Sequence, residues 1–292
     1  MFKGSLVALI TPMTEAGDVD EDAFSRFVDW QIREGSRGVI PVGTTGESPT
    51  LTHDEHKRVV EIAVKVSAGR VPVIAGAGSN STAEAIELTR HAKSAGADAA
   101  LVVTPYYNKP TQEGLFQHYM AIAEAVELPV FIYNIPPRSV VDMSVETMGK
   151  LAKHRNIVGV KDATASLVRP LHTTAACGAD FIQLSGEGHT ALPFLAAGGH
   201  GCISVTANIA PRLCSQMHAA WQAGHMAEAM HLQTRLTPLH DAMFCEANPG
   251  PVKYAASLLG HTADRCRLPM APVAEHTRNR VRAAMTAAGL LN

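Results

Sequence analysis

The sequence predicts an α/β protein: a (β/α)8 TIM barrel with a C-terminal helical appendage. Short apolar runs alternate with amphipathic stretches at intervals of about 30 residues, the rhythm of repeated β-α units. There are eight such runs: Ser5–Ile10, Gly38–Val42, Val71–Ala75, Ala99–Val103, Pro129–Tyr133, Ile157–Lys161, Phe181–Leu184 and Gly201–Val205. The length up to about residue 224 fits the roughly 200–250 residues of such a barrel. An open doubly wound sheet is the competing architecture, but no GxGxxG follows an early strand.

Each element has a local reason. Ser5–Ile10 is apolar almost throughout, as expected of a strand covered on both faces. Phe24, Phe27, Val28 and Ile32 then recur at helical spacing. After Gly38–Val42, the patterns Thr52-x-x-Glu55 and Ser81-x-x-Glu84 read as capping boxes, in which a side-chain oxygen satisfies an orphan helical N–H. Leu115, Tyr119, Ile122 and Val126 mark a further helix. The weak repeat Ala95-Gly96-Ala97-Asp98, Cys177-Gly178-Ala179-Asp180 and Ala197-Gly198-Gly199-His200 precedes apolar runs, with glycine expected as the left-handed helix cap. From Gly224 onward three helical stretches follow, broken at Asn248-Pro249-Gly250-Pro251 and around Pro269–Pro272. The expected division is a catalytic barrel over residues 1–224 and a helical domain over 225–292.

Composition limits the functional classes. Of 292 residues, 46% are hydrophobic and 18% charged, with a formal net charge of -2. That balance supports neither nucleic acid nor an anionic membrane surface as partner. No apolar run is long enough for a signal-peptide core or a membrane span, so a cytoplasmic protein is expected. The five cysteines lack CxxC spacing, which argues against a disulfide framework or zinc. HExxH, GxSxG and GxxxxGK[ST] are absent, and no metal is expected. Histidines such as His91, His118, His172, His218, His225 and His231 are scattered along helical stretches, as surface or hydrogen-bonded core residues usually are.

In a barrel of this kind the chemistry sits at the C-terminal ends of the strands. There the sequence places Gly43-Thr44-Thr45-Gly46-Glu47-Ser48, Thr104-Pro105-Tyr106-Tyr107, Tyr133-Asn134 with Arg138, Lys161-Asp162 and Gly186-Glu187. Lys161 is the unusual member, a primary amine in an otherwise apolar strand. Burial disfavours the charge of an ammonium, and a neutral amine can attack a ketone to form an imine. A lysine at a strand end can also extend to solvent. The Thr44-Thr45 pair can offer N–H groups and hydroxyls to a small anion, or be an ordinary turn. Tyr133 can relay protons or simply fill the rim, and Arg138 can fork a carboxylate or stand as one exposed charge.

The combination of Gly43-Thr44-Thr45-Gly46-Glu47, Tyr133-Asn134-Ile135-Pro136, Arg138 and Gly159-Val160-Lys161-Asp162 closely resembles the class I pyruvate aldolases, the family of dihydrodipicolinate synthase and N-acetylneuraminate lyase. Asn248-Pro249-Gly250-Pro251-Val252-Lys253 also resembles that family. The resemblance implies a Schiff base between Lys161 and pyruvate, with no other cofactor. It implies that Thr44 and Thr45 hold the pyruvate carboxylate, and that protons move through Tyr133, Thr44 and a Tyr107 lent by a neighbouring subunit. Gly186 and Ile203 would line the pocket. Arg138 and the paired threonines favour aspartate semialdehyde as second substrate, at the entry to diaminopimelate and lysine synthesis. The alternatives are a lyase of sugar acids such as N-acetylneuraminate or 2-keto-3-deoxygluconate, and a non-catalytic barrel that binds a keto acid or amino acid. Ser48, His53, His56, Asn80, Glu84 and Tyr106 match, by the same resemblance, a feedback site for L-lysine. Tyr106 and Tyr107 are expected to point oppositely because neighbours in an extended chain do. A homotetramer built of two dimers is the assembly the family implies.

Overall fold

The computed structural model describes residues 1–291. Its strands are β1 (Gly4–Ala8), β2 (Val39–Ile40), β3 (Ile74–Gly76), β4 (Ala99–Val103), β5 (Val130–Asn134), β6 (Ile157–Asp162), β7 (Ile182–Ser185) and β8 (Gly201–Ser204). Neighbouring strands pair in parallel in the order β2-β1-β8-β7-β6-β5-β4-β3. A parallel bridge from Val39 to Val73 joins the two ends, so the sheet is a nearly closed barrel with helices between its strands. Each of the eight expected runs overlaps a strand, although β2 keeps only two residues. Beyond Ile40 the chain turns at once, and Gly76 N–H bonds the Pro41 carbonyl there.

Alternation along the strands sorts the apolar residues into two layers. Leu6, Ala8, Ile40, Ile74, Ala99, Leu101, Phe131, Tyr133, Leu184 and Ile203 form the barrel interior, closed below by Phe2, whose ring meets Phe131 edge-on at 5.2 Å. Val7, Val39, Ala100, Val102, Val130, Ile132, Ile157 and Val160 face the helices. There Tyr119 is fully buried, and its hydroxyl donates to the Val102 carbonyl at 2.7 Å.

Strand β6 breaks the alternation once. Val130 pairs with Ile157 but Phe131 pairs with Gly159, leaving Val158 as an extra residue. Ile157 belongs to the outer layer, Val158 packs on the inner one, and Val160 is outside again. Gly159 therefore lies beside Phe131 and Ile182, where an added Cβ would stand 2.3 Å from the Ile182 carbonyl oxygen and 2.7 Å from the Phe131 ring.

The helix signals hold in part. Thr52 and Glu55 form the capping box at the start of His53–Ser67. Ser81 does not cap Thr82–Ala95, and the second box is absent because Glu84 is drawn away to His53 and Ser79. Gly96 is a left-handed cap as expected, whereas Gly178 combines φ +90° with ψ 165° and leads the chain out extended. Two of the scattered histidines are core residues: His118 bonds Thr82 Oγ1 at 2.9 Å, and His218 is buried, its Nδ1 without a hydrogen-bond partner among the described residues. Burial holds both near pKa 4, hence neutral at pH 7. All five cysteines are free thiols.

After Pro211–Gln222, the helices Met226–Met243, Gly250–Leu258 and Glu275–Ala287 follow. Among the described residues, no helix is long and apolar enough to cross a membrane. Gly159→Ala is expected to lower stability by about 1–3 kcal/mol through the forced contact with Ile182 and Phe131; urea unfolding measures it, and an unchanged midpoint refutes that packing.

Candidate active site

At the C-terminal end of β6, Lys161 pairs in register with Tyr133 on one side and Leu184 on the other. Its residue is only 6% exposed, and its Nζ lies 4.0 Å from the centre of the Tyr133 ring. The amine therefore points into the barrel rather than along a strand end to solvent. Next to it, Asp162 turns outward and accepts from the Thr164 N–H and hydroxyl at 2.9 and 2.6 Å, with Arg169 Nε at 3.0 Å. Glu187, at the end of β7, has its carboxyl pKa raised by burial, with the Lys161 charge opposing the shift. Gly186 N–H bonds the Asp162 carbonyl at 2.6 Å, and a Cβ at 186 would sit 2.7 Å from Ala163 Cβ. Ile203 is fully buried in β8, in the interior layer that holds Tyr133.

The threonine turn after β2 is built tightly. Gly46 N–H bonds the Gly43 carbonyl at 3.1 Å, Glu47 N–H bonds the Thr44 carbonyl at 3.2 Å, and the Thr11 hydroxyl holds the Gly46 carbonyl at 2.7 Å. Thr45 is buried and Thr44 half-buried. The turn ends with Glu47 at φ +59°, an uncommon value for a residue with a side chain. Its carboxylate is the reason it stays there: one oxygen meets Lys253 Nζ at 2.6 Å and the other accepts the Arg267 N–H at 2.9 Å. Both side chains of the pair are essentially inaccessible, 0% for Lys253 and 2% for Glu47. Asn248 adds a third tie, its Nδ2 donating to Thr45 Oγ1 at 3.1 Å, while its carbonyl accepts from Arg138 Nη2 at 3.4 Å. Arg138 itself is exposed, in the short helix Pro136–Ser139.

A cavity of about 390 Å³ opens beside this turn. Its walls include Thr44, Tyr133 and Arg138, and also Ser48, His53, His56, Glu84 and Tyr106. Two groups of expected site residues thus share one space. His53 Nε2 lies 2.8 Å from Glu84 Oε1, and Ser79 donates to the other oxygen. Asn80 Nδ2 bonds the Tyr106 carbonyl at 3.2 Å, and Asn108 Nδ2 bonds the Asn80 carbonyl at 2.9 Å. Burial first, then the neighbouring His91 and His53, holds His56 near pKa 4, so it lines the cavity as a neutral ring. Among the described residues, no group of three His, Cys, Asp or Glu is placed to hold a metal.

The expectation for Tyr106 and Tyr107 is corrected in one respect. They do diverge, Tyr106 lining the cavity and Tyr107 standing 88% exposed, but the chain is not extended there. Tyr107 has φ +70° in a turn closed by the bond from Asn108 N–H to the Tyr106 carbonyl at 2.8 Å. Sequence reasoning missed Asn248, Lys253 and Arg267 as parts of the site. For Asn248 and Lys253 the signals were the Asn248-Pro249-Gly250-Pro251 break and the family resemblance of the stretch Asn248–Lys253; Arg267 had none.

Removing one member of the buried pair strands the other charge. Lys253→Met is expected to cost about 3–5 kcal/mol, and adding Glu47→Gln to recover a large share of it. Denaturant unfolding of the single and double variants measures this, and additive losses would contradict a direct pair.

The whole chain has relatives at high identity. A protein of Acidiphilium cryptum named 4-hydroxy-tetrahydrodipicolinate synthase is 70% identical over 291 residues, covering all of both chains. The crystal structure of chloride-inhibited dihydrodipicolinate synthase from Acinetobacter baumannii complexed with pyruvate superimposes with a TM-score of 0.97 at 47% identity, over the full length of both. That of the enzyme from Cyanidioschyzon merolae with lysine bound gives 0.96 at 39% identity, over 99% of each chain. The model of the dihydrodipicolinate synthetase family matches residues 1–288. With a near-closed barrel, an inward lysine and relatives matching from end to end, the chain belongs to the dihydrodipicolinate synthetase family.

Proposed function

We propose that this chain condenses pyruvate with L-aspartate-4-semialdehyde to 4-hydroxy-tetrahydrodipicolinate, the entry step of diaminopimelate and lysine synthesis, by a class I aldolase mechanism. The observation that carries the reading is the Lys161 amine, buried inside the barrel mouth over the Tyr133 ring. Lys161 Nζ attacks the ketone carbon of pyruvate, and loss of water leaves an iminium. A proton leaves the methyl carbon, giving an enamine that attacks the aldehyde carbon of the semialdehyde. The amino group of that substrate then closes the ring and displaces Lys161 as the free amine. No other cofactor is required.

The remaining residues take roles consistent with their positions. Thr44 and Thr45 hold the pyruvate carboxylate at the turn after β2, with Gly186 and Ile203 bounding the pocket. Arg138 takes the carboxylate of the second substrate. Tyr133, Thr44 and Tyr107 pass protons as hydroxyls, without a full charge beside the imine. Tyr107 belongs to the site of a neighbouring copy: a large aromatic 88% exposed at φ +70° suits a residue covered by a partner. A cytoplasmic homotetramer made of two dimers is the assembly proposed. Sodium borohydride with pyruvate is expected to add the reduced pyruvyl group to Lys161, read by peptide mass, with no adduct in Lys161→Ala. An unmodified Lys161, or an adduct elsewhere, overturns the mechanism; turnover of N-acetylneuraminate or 2-keto-3-deoxygluconate in place of the semialdehyde overturns the substrate assignment.

L-Lysine is proposed as a feedback inhibitor bound among Ser48, His53, His56, Asn80, Glu84 and Tyr106. The Glu84 carboxylate suits an ammonium, and the cavity these residues share with Thr44 and Tyr133 gives the effector a route to the reacting centre. Millimolar lysine is expected to lower the steady-state rate, and Glu84→Ala to weaken that inhibition at least tenfold, the scale of a lost charge-assisted bond. A rate indifferent to lysine refutes it.

A further inference from the structure

We propose that Asn248 is a positioning residue for the pyruvate carboxylate, acting through the hydroxyl of Thr45 from 203 residues away along the chain. The inference rests on the reading of Thr45 as a carboxylate donor and adds what makes it one. A threonine hydroxyl has one proton and two acceptor lone pairs, and its rotation is otherwise free. Left alone, it can turn its proton to any nearby carbonyl. Here Asn248 Nδ2 donates to Thr45 Oγ1 at 3.1 Å, so a lone pair faces Asn248 and the proton is directed away from it. Thr45 is then set as a donor before any anion arrives, and preorganised donors lose less on binding than donors that must reorient.

Two further observations favour a functional role over simple packing. Asn248 is buried, yet among the described residues its Oδ1 has no hydrogen-bond donor. An amide retained with one end unsatisfied costs stability, which a purely structural position would avoid with an apolar residue of similar size. Asn248 also contributes its backbone carbonyl to Arg138, so one residue touches both proposed carboxylate handles, the first by its side chain and the second by its main chain. That difference provides an internal control, since substitution removes only the first contact.

The test is a double-mutant cycle between Asn248 and Thr45, read by the pyruvate concentration that half-saturates borohydride trapping on Lys161 and by steady-state kinetics. Asn248→Ala is expected to raise half-saturating pyruvate about tenfold, the usual scale for a weakened bond to a charged group. The KM for aspartate semialdehyde should stay within about twofold, because the Arg138 contact is to the main chain. Thr45→Val should show a rise of at least the same size, Thr45→Ser should restore most of it, and Asn248→Ala should add little in the Thr45→Val background. Asn248→Leu, matched in volume and lacking the amide, carries the same expectation if the alanine variant does not fold. Unchanged or tighter pyruvate binding in the Asn248 variants overturns the proposal, as do additive effects in the cycle. If Thr45→Val leaves half-saturating pyruvate unchanged, the assignment of Thr45 fails with it. If Thr45→Val has its effect and the two changes simply add, that assignment stands and the role of Asn248 alone is lost.

Discussion

Lys161 faces the interior because β6 changes phase once. In unbroken alternation from Ile157, which is outside, Val158 would be inside, Gly159 outside, Val160 inside and Lys161 outside among the helices. The extra residue at Val158 reverses this, putting Val160 in the outer layer and Lys161 opposite Tyr133. A glycine is required at the reversal, since the inward position of residue 159 is filled by the Phe131 ring and the Ile182 carbonyl. The same step stacks two inner levels across adjacent strands: Phe131, Gly159 and Ile182 below, then Tyr133, Lys161 and Leu184. The lower level is tightly filled at Gly159, and the amine sits one level above it, nearer the C-terminal ends of the strands. One irregular residue thus converts a core strand into a platform for chemistry.

Much of this was legible in the sequence, for reasons that separate it from what was not. Strands buried on both faces are apolar almost throughout, so all eight are visible as runs. Their side-chain phase is harder, because a run such as Ile157-Val158-Gly159-Val160 looks the same with or without a bulge. Lys161, Tyr133, Thr44 and Arg138 stood out at or near strand ends, where a barrel places its chemistry, whereas His53 and His56, on the helix His53–Ser67, came in only through the family resemblance. The support behind them did not. Glu47 and Lys253 are 206 residues apart, and no local pattern pairs them. Glu84 was misassigned as a helix cap because local spacing takes no account of His53, which arrives from the preceding helix and competes for the carboxylate.

These distant ties explain why the chain beyond the last strand matters to the turn after the second. Binding residues on loops need ordering from outside the loop. Here Asn248 holds Thr45, Lys253 holds Glu47, and Arg267 binds Glu47 through its N–H and Thr50 and Glu55 through its guanidinium. The bidentate Arg267 bond is the largest cause of the fall of the Glu55 pKa to about 2. Glu55 also closes the capping box with Thr52, so the start of the helix that carries His53 and His56 is anchored to the same arginine. Residues 226–291 therefore add polar ties to a turn that the barrel itself holds through Thr11.

A single turn then carries both halves of the proposed regulation. Thr44 and Thr45 lie at one end of it and Ser48 at the other, joined by the bonds from Glu47 N–H to the Thr44 carbonyl and from Ser48 N–H to the Gly43 carbonyl at 3.4 Å. An amino acid held at Ser48, His53 and Glu84 need not signal across the molecule; it would press on the peptide units that carry the proposed carboxylate donors Thr44 and Thr45. Coupling between sites requires a shared element with more than one available arrangement, not distance. The bond from Ser48 to Gly43 is the longest in the turn, whereas Glu47 is fixed from below by a buried ion pair. Of the two threonines, Thr44 faces the cavity that Ser48, His53 and Glu84 also line, whereas Thr45 is tied in place by Asn248, so Thr44 is the one an occupant of that cavity can touch.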